Sequence, residues 1–284
     1  MLGFIRSGMY GGSVIAFMLA PVLLSHIGWA IVWYVNGGLT LFWCACWYMW
    51  GSSSPEMKRP QISEEERTFI EATAATEKAA TVPYAQLLRS PAVQGIVLAH
   101  FCHDWGWYVM ISWMPKYYSE MHNTHIQQAS FYSAIPFLIQ LPCTLLAGYA
   151  GSALVKNYGF KVVGIRRWFS VVGLLGPALC YATAQYAPSA TMALLCVGTA
   201  FALDSLNISG YQINNIDISP KYAGSVKGLA DTFGCLAGVL GNIVTGLVVH
   251  KTHNYHYAFF IIAGLNVVAA IVYAFTAKGR VLFD

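Results

Sequence analysis

The chemistry-bearing residues of this chain stand inside apolar runs. His100-Phe-Cys-His-Asp104 is followed by Trp105, Trp107 and Tyr108 within a stretch, 98–118, that is long enough to cross a bilayer. On a helical period His100, His103, Asp104, Trp107 and Ile111 share one face. Imidazole can meet an anion when protonated, and a carboxylate can carry a proton or meet a cation. At membrane depth such groups are costly unless they face a bundle interior or a water-filled cavity. The other reading is that His and Asp satisfy each other across a helix contact.

Two further segments carry polar groups. In 190–217, Asp204, Asn207, Tyr211, Asn214 and Asn215 fall within one helical stripe, fit for a small polar solute or for amide bonds between helices. Asn215 and Asp217 are assigned to helix contact and Tyr211 to a cavity. In 224–249, Asp231 shares a face with Gly224, Gly228, Cys235, Gly238 and Asn242; it could carry a proton, meet a cation, pair with His103 or be wetted. Because no Lys or Arg is expected at membrane depth, an anion there would depend on His100 and His103 for positive charge.

The elements that must position these groups are membrane helices. Of 284 residues, 57% are hydrophobic and 10% charged, far from the roughly 25% charged of soluble domains. The net charge of +4 therefore concerns orientation and carries no nucleic-acid signal. All seven cysteines lie in apolar segments without paired spacing, so neither a disulfide framework nor a metal site is expected. Asn207-Ile-Ser209 matches a glycosylation acceptor but lies inside an apolar run.

Eight spans are expected, at 7–27, 29–50, 92–119, 127–155, 168–187, 190–217, 224–249 and 256–277, each near the roughly 20 residues a bilayer requires. Residues 52–90 form the one long polar stretch, and Ser63 with Glu66 has capping-box spacing for a short surface helix over about 64–77. Of the 16 Lys and Arg, all but Lys116 and Lys251 fall on one side of the alternating connections, which places the linker and the C-terminus in the cytoplasm or on the equivalent organelle face. Residues 1–51 then read as the last two helices of one bundle, 52–90 as a cytoplasmic linker and 91–284 as a six-helix bundle.

Several motifs carry a resemblance: Ser7-Gly-Met-Tyr-Gly-Gly-Ser13, Gly28-Trp-Ala-Ile-Val-Trp-Tyr34, Ser54-Pro55 with Ile62-Ser-Glu-Glu-Glu-Arg67, His100-Phe-Cys-His103, Trp113-Met-Pro-Lys-Tyr-Tyr118 and Asp217-Ile-Ser-Pro-Lys-Tyr-Ala-Gly224. Together they resemble the anion:cation symporter family of the major facilitator superfamily, from Ser7 to about Gly279. The plant and algal plastid anion transporter branch is the most similar, through His100-Phe-Cys-His103, Trp113-Met-Pro115 and Gly173-Leu-Leu-Gly-Pro177. The resemblance implies an all-α, partial major facilitator fold, helices five to twelve of twelve, in an N-terminally truncated chain. It places His103 where vesicular glutamate members carry a substrate-facing arginine, and Tyr108 on the cavity wall. Asp231 departs from the asparagine usual in the Gly-Leu-x-Asn segment, and the family's anion-binding arginines of helices one and four have no counterpart here.

The expected function is secondary active transport of a small anion, phosphate or an organic carboxylate, coupled to Na+ or H+ by alternating access. His103, Trp107, Tyr108, Asn207 and Tyr211 would bind the solute; Asp231, Asp204 and Asp104 would couple the ion. No cofactor is expected, and the partners are the solute, the bilayer and the missing N-terminal helices. A plastid or other organelle membrane, or the plasma membrane, would host it. Two competitors stand beside this reading: a membrane-embedded acyltransferase using His100 with Asp104, and a non-transporting regulator of a full-length paralogue.

Overall fold

A computed structural model describes residues 2–52, 62–68 and 82–283. Its helices are α1 (Leu2–His26), α2 (Trp29–Trp50), α3 (Tyr84–Arg89), α4 (Pro91–Met121), α5 (Ile126–Lys156), α6 (Val162–Ala184), α7 (Ala190–Asp204), a 3-10 segment (Ser205–Ser209), α8 (Tyr211–Ile218), α9 (Ala223–Thr252) and α10 (His256–Thr276). The described residues contain no strand. An all-helical chain is what a bilayer imposes, since each helix satisfies its own backbone groups.

Seven of the described helical spans are both long and apolar enough to cross a membrane, with Ala190–Ile218 counted as one. The eighth expected span, α4, has the length, 31 residues or about 46 Å at 1.5 Å per residue. It falls short in apolarity because His100, His103, Asp104 and Lys116 interrupt it. Its polar middle is covered by neighbouring helices, so hydrocarbon need not solvate it.

The chain divides into two compact units. One comprises Met1–Pro21 with Tyr84–Asp284, the other Val22–Pro83. In the second unit a turn at Gly28, at φ 108°, joins the end of α1 to α2; only glycine adopts that backbone readily. No residue of α2 is buried, although nearly all are apolar. The Ser63 cap forms as the spacing predicts, with Glu66 N–H donating to Ser63 Oγ at 3.2 Å, and 64–68 are helical. The rest of the expected surface helix lies outside the described residues.

In the first unit the core centres on Phe137, Phe201, Met114, Tyr118 and Ile262, all at most 2% exposed. Phe17 of α1 stacks on Phe137 at 5.6 Å between ring centroids. Helices α4 and α9 approach closely at Gly234, Gly238 and Gly241, where an added Cβ would meet Asp104, Tyr108 and the Val109–Trp105 surface. Of the face that Asp231 shares, Gly238 and Asn242 meet α4, whereas Gly224 and Gly228 have nothing within 4 Å of such a Cβ.

Three expected spans are corrected, the first of them, 7–27, beginning at Leu2 so that Arg6 is helical. The span expected at 168–187 begins at Val162, so Arg166 and Arg167 are helical rather than in a loop. Arg166 is accommodated by Asp217, at 2.6 Å and 3.2 Å, and by the Ser209 carbonyl at 2.8 Å. The span expected as one helix over 190–217 is broken by the 3-10 segment and by Gly210 at φ −92°, ψ −123°. Ser205, Asn207 and Ser209 are buried there and bond to carbonyls of other segments, competing with the helical pattern. The polar stripe drawn on an unbroken helix does not survive that break.

A candidate solute cavity around His103

His103 is held between two carboxylates. Its Nδ1 lies 2.8 Å from Asp104 Oδ1 and its Nε2 2.9 Å from Asp204 Oδ1. An ionised carboxylate only accepts, so the ring donates from both nitrogens, or one carboxyl keeps a proton and donates back. Either way the three groups share one proton more than a neutral ring between two carboxylates, and carry one net negative charge. Asp204, on the last turn of α7, is fixed further by Gln140 Nε2 at 2.8 Å and Asn207 Nδ2 at 2.9 Å. The contact between His103 of α4 and Asp204 of α7 is the mutual satisfaction foreseen as the alternative for this histidine.

The same imidazole also faces a cavity of about 300 Å³. His100, Asp104, Trp107 and Tyr108 of α4 line it, together with Lys227, Asp231 and Cys235 of α9 and Arg6 and Tyr10 of α1. All lie in the first unit. Lys227 donates to His100 Nε2 at 3.1 Å and pairs with Asp231 one turn further on. Since an ammonium only donates, Nε2 of His100 accepts, and its Nδ1–H goes to the Ile96 carbonyl at 2.9 Å. His100 is thus neutral, the tautomer fixed from both sides.

Several expectations change at this point. Positive charge at the cavity does not rest on histidine alone, because Arg6 and Lys227, counted among the loop charges, line its wall. Asp231 is neither isolated nor paired with His103; its partner is Lys227, and half of its side chain is exposed. Asn207 and Tyr211 do not line the cavity. Asn207 is fully buried and its amide donates to the Gly173 carbonyl at 2.8 Å, joining α6 to the 3-10 segment. Tyr211, also fully buried, packs behind the wall with its ring edge-on to His100, 4.7 Å between centroids. The His100–Asp104 pair required for acyl transfer is not formed, since both ring nitrogens of His100 are engaged elsewhere.

Asn214 and Asn215 serve helix ends. Asn214 Nδ2 donates to the Lys278 carbonyl at 2.8 Å and Asn215 Nδ2 to the Ala223 carbonyl at 3.0 Å. Asp217 takes Arg166. Three contributors were missed from the sequence: Arg6, Lys227 and Gln140. For Gln140 a signal existed, a lone amide in an apolar span between Pro136 and Pro142, now fully buried. For Arg6 and Lys227 there was none, because a basic residue near a helix end reads as a loop charge. No group of His, Cys, Asp or Glu among the described residues is arranged to hold a metal ion, and the seven cysteines are free.

A helical, multi-pass integral membrane protein with a charged cavity between its helices is the class this geometry defines. Residues 1–241 and 96–281 match the Major Facilitator Superfamily, and the chain belongs to that superfamily. Among its relatives is the "Sodium-dependent phosphate transport protein 1, chloroplastic" of Arabidopsis thaliana, 32% identical over 100% of this chain and 55% of the relative. The "Ascorbate transporter, chloroplastic" of the same plant is 31% identical over 100% and 52%. Human "Sialin" is 30% identical over 99% and 58%. The chain thus spans a little over half the length of these relatives.

Proposed function

We propose that the chain is part of a secondary active transporter for a small anion, inorganic phosphate or an organic carboxylate, working by alternating access. The observation that carries this reading is the cavity of about 300 Å³ with Arg6, Lys227 and His103 on its wall. That volume is at the lower end of small-molecule sites, roughly 300–1,000 Å³. An anion leaving water needs fixed positive charge to offset its desolvation; Arg6 and Lys227 are the cationic side chains on this wall, Lys227 becoming available once Asp231 lets it go.

The carboxylates give this arrangement its control. Asp231 competes with the solute for the Lys227 ammonium. A proton on Asp231, or a sodium ion at its exposed oxygens, would release Lys227 to the anion, which links the entry of one to the entry of the other. His103 stays oriented throughout because Asp204, with its two amide donors, anchors it from behind. In this reading 91–284 form the C-terminal bundle, 52–90 the cytoplasmic linker and 1–51 the end of the N-terminal bundle. A plastid or other organelle membrane is the expected location, by likeness to the chloroplastic relatives.

Proteoliposomes carrying the full transporter of which this chain is part test this, with labelled phosphate or carboxylates under an inward sodium or proton gradient. Gradient-driven uptake that falls at least about tenfold in Lys227→Met and His103→Ala, a loss of about 1.4 kcal/mol or more, is the expected result. Uptake that is equal in parent and variants removes the cavity from the transport path.

A further inference from the structure

A second, much smaller space of about 10 Å³ is bordered by His103, Trp107, Tyr181, Asp204 and Asn266. Its volume is that of about one water-sized sphere. Two of the groups around it have no hydrogen-bond partner within the described protein: the Trp107 indole N–H and the Asn266 side-chain oxygen. Asn266 is 4% exposed and is the one amide in the otherwise apolar α10. A buried donor and a buried acceptor left unpaired each lose the hydrogen bond they had to water, with nothing to replace it. Both residues border the same water-sized space, as does the Asp204 carboxyl group.

We infer that this space is a binding site for a single ordered water molecule, which accepts from Trp107 Nε1–H and donates to Asn266 Oδ1 and to the Asp204 carboxylate. Water needs two to four polar partners to be held in a protein interior, and these three fit that requirement. The donor set discriminates against a bare cation of similar size. The Trp107 indole nitrogen offers only a donor, and Asp204 already accepts from Gln140 and Asn207 and is bonded to His103. The water would be its fourth partner. His103 then has both the cavity and the held water as polar neighbours. This site stands apart from the transport reading and would exist in a chain that carried nothing.

Magnetic resonance on the full chain in lipid nanodiscs, labelled with 15N at its nine tryptophans, tests it. Trp107→Phe assigns the Trp107 indole signal by its disappearance. The expected result is a cross-peak between the Trp107 indole proton and long-lived water in the parent, lost in Asn266→Leu. An indole shift typical of an unbonded N–H with no water contact in the parent overturns the inference. So does loss of the water cross-peak when sodium chloride replaces choline chloride, which would make the occupant a cation. The parent spectrum alone decides if Asn266→Leu does not fold.

Discussion

Replacing His103 by leucine puts an apolar side chain of similar reach in its place and removes both of its hydrogen bonds with carboxylates. Those bonds, 2.8 Å to Asp104 and 2.9 Å to Asp204, involve charged partners. Bonds of this kind contribute about 1.5–3 kcal/mol each, so the pair sets a range of about 3–6 kcal/mol. Two features pull the cost toward the lower end. Asp204 keeps Gln140 and Asn207, and Asp104, with 22% of its side chain exposed, opens to the cavity. The expected destabilisation is therefore about 3–4 kcal/mol, near the lower bound for breaking a buried ion pair. At about 2–4 °C per kcal/mol this lowers the melting temperature by roughly 6–16 °C. Thermal loss of the helical circular-dichroism signal in detergent reports unfolding. Adding Asp204→Asn to the leucine variant recovers only part of the stability, because the new amide nitrogen must face the amide of Gln140 or of Asn207. A leucine variant that melts within about 2 °C of the parent, less than about 1 kcal/mol, would show that the ring is not held between these carboxylates.

Three other outcomes follow from the packing. Gly238→Ala places a Cβ 2.5 Å from Tyr108 Cδ2 and 2.7 Å from Cγ, so the ring must move, at a cost of about 1–3 kcal/mol in the same melting assay. Arg166→Met removes a two-pronged contact with Asp217 and the bond to the Ser209 carbonyl, and about 2–4 kcal/mol of stability should go with them; Arg166→Lys should restore less than half. His122, just past the end of α4, is held below the ordinary histidine range by partial burial. Folding thus favours its neutral form, so its share of stability is present above about pH 6.5 and is lost as the pH falls below that. His122→Gln should flatten that acid limb of the melting curve; an unchanged limb assigns it to another group.

Much of the fold was legible because hydrophobic length is a strong signal. The hairpin of α1 and α2, the Ser63 cap and the spans from α4 onward follow from runs of apolar residues and the punctuation between them. Legibility failed where one local group outweighed the run. Gly210 and the buried serines break 190–217 in two, and no composition over 20 residues reports a single backbone turn. At the site, helical periodicity put His100, His103, Asp104 and Trp107 together correctly, since they share one unbroken helix. It misplaced Asn207 and Tyr211 because it extended a period across the 3-10 segment. Lys227 and Arg6 were misread for a different reason: charge counting assigns a basic residue to the nearest loop, whereas a long side chain one turn into a helix can reach inward to a partner on the next helix.

The central claim is that water reaches the cavity beside His103 and that an anion can displace it. Cys235 is a native probe, exposed on the cavity wall, whereas Cys102 is buried one residue from His103. Treating the protein in nanodiscs with a charged, membrane-impermeant thiol reagent, and locating the label by peptide mass, measures access directly. The account predicts that Cys235 is labelled and Cys102 is not, and that phosphate or a carboxylate slows labelling of Cys235 in the parent but not in Lys227→Met. A Cys235 as inert as Cys102, or labelled at one rate whatever anion is present, would contradict it.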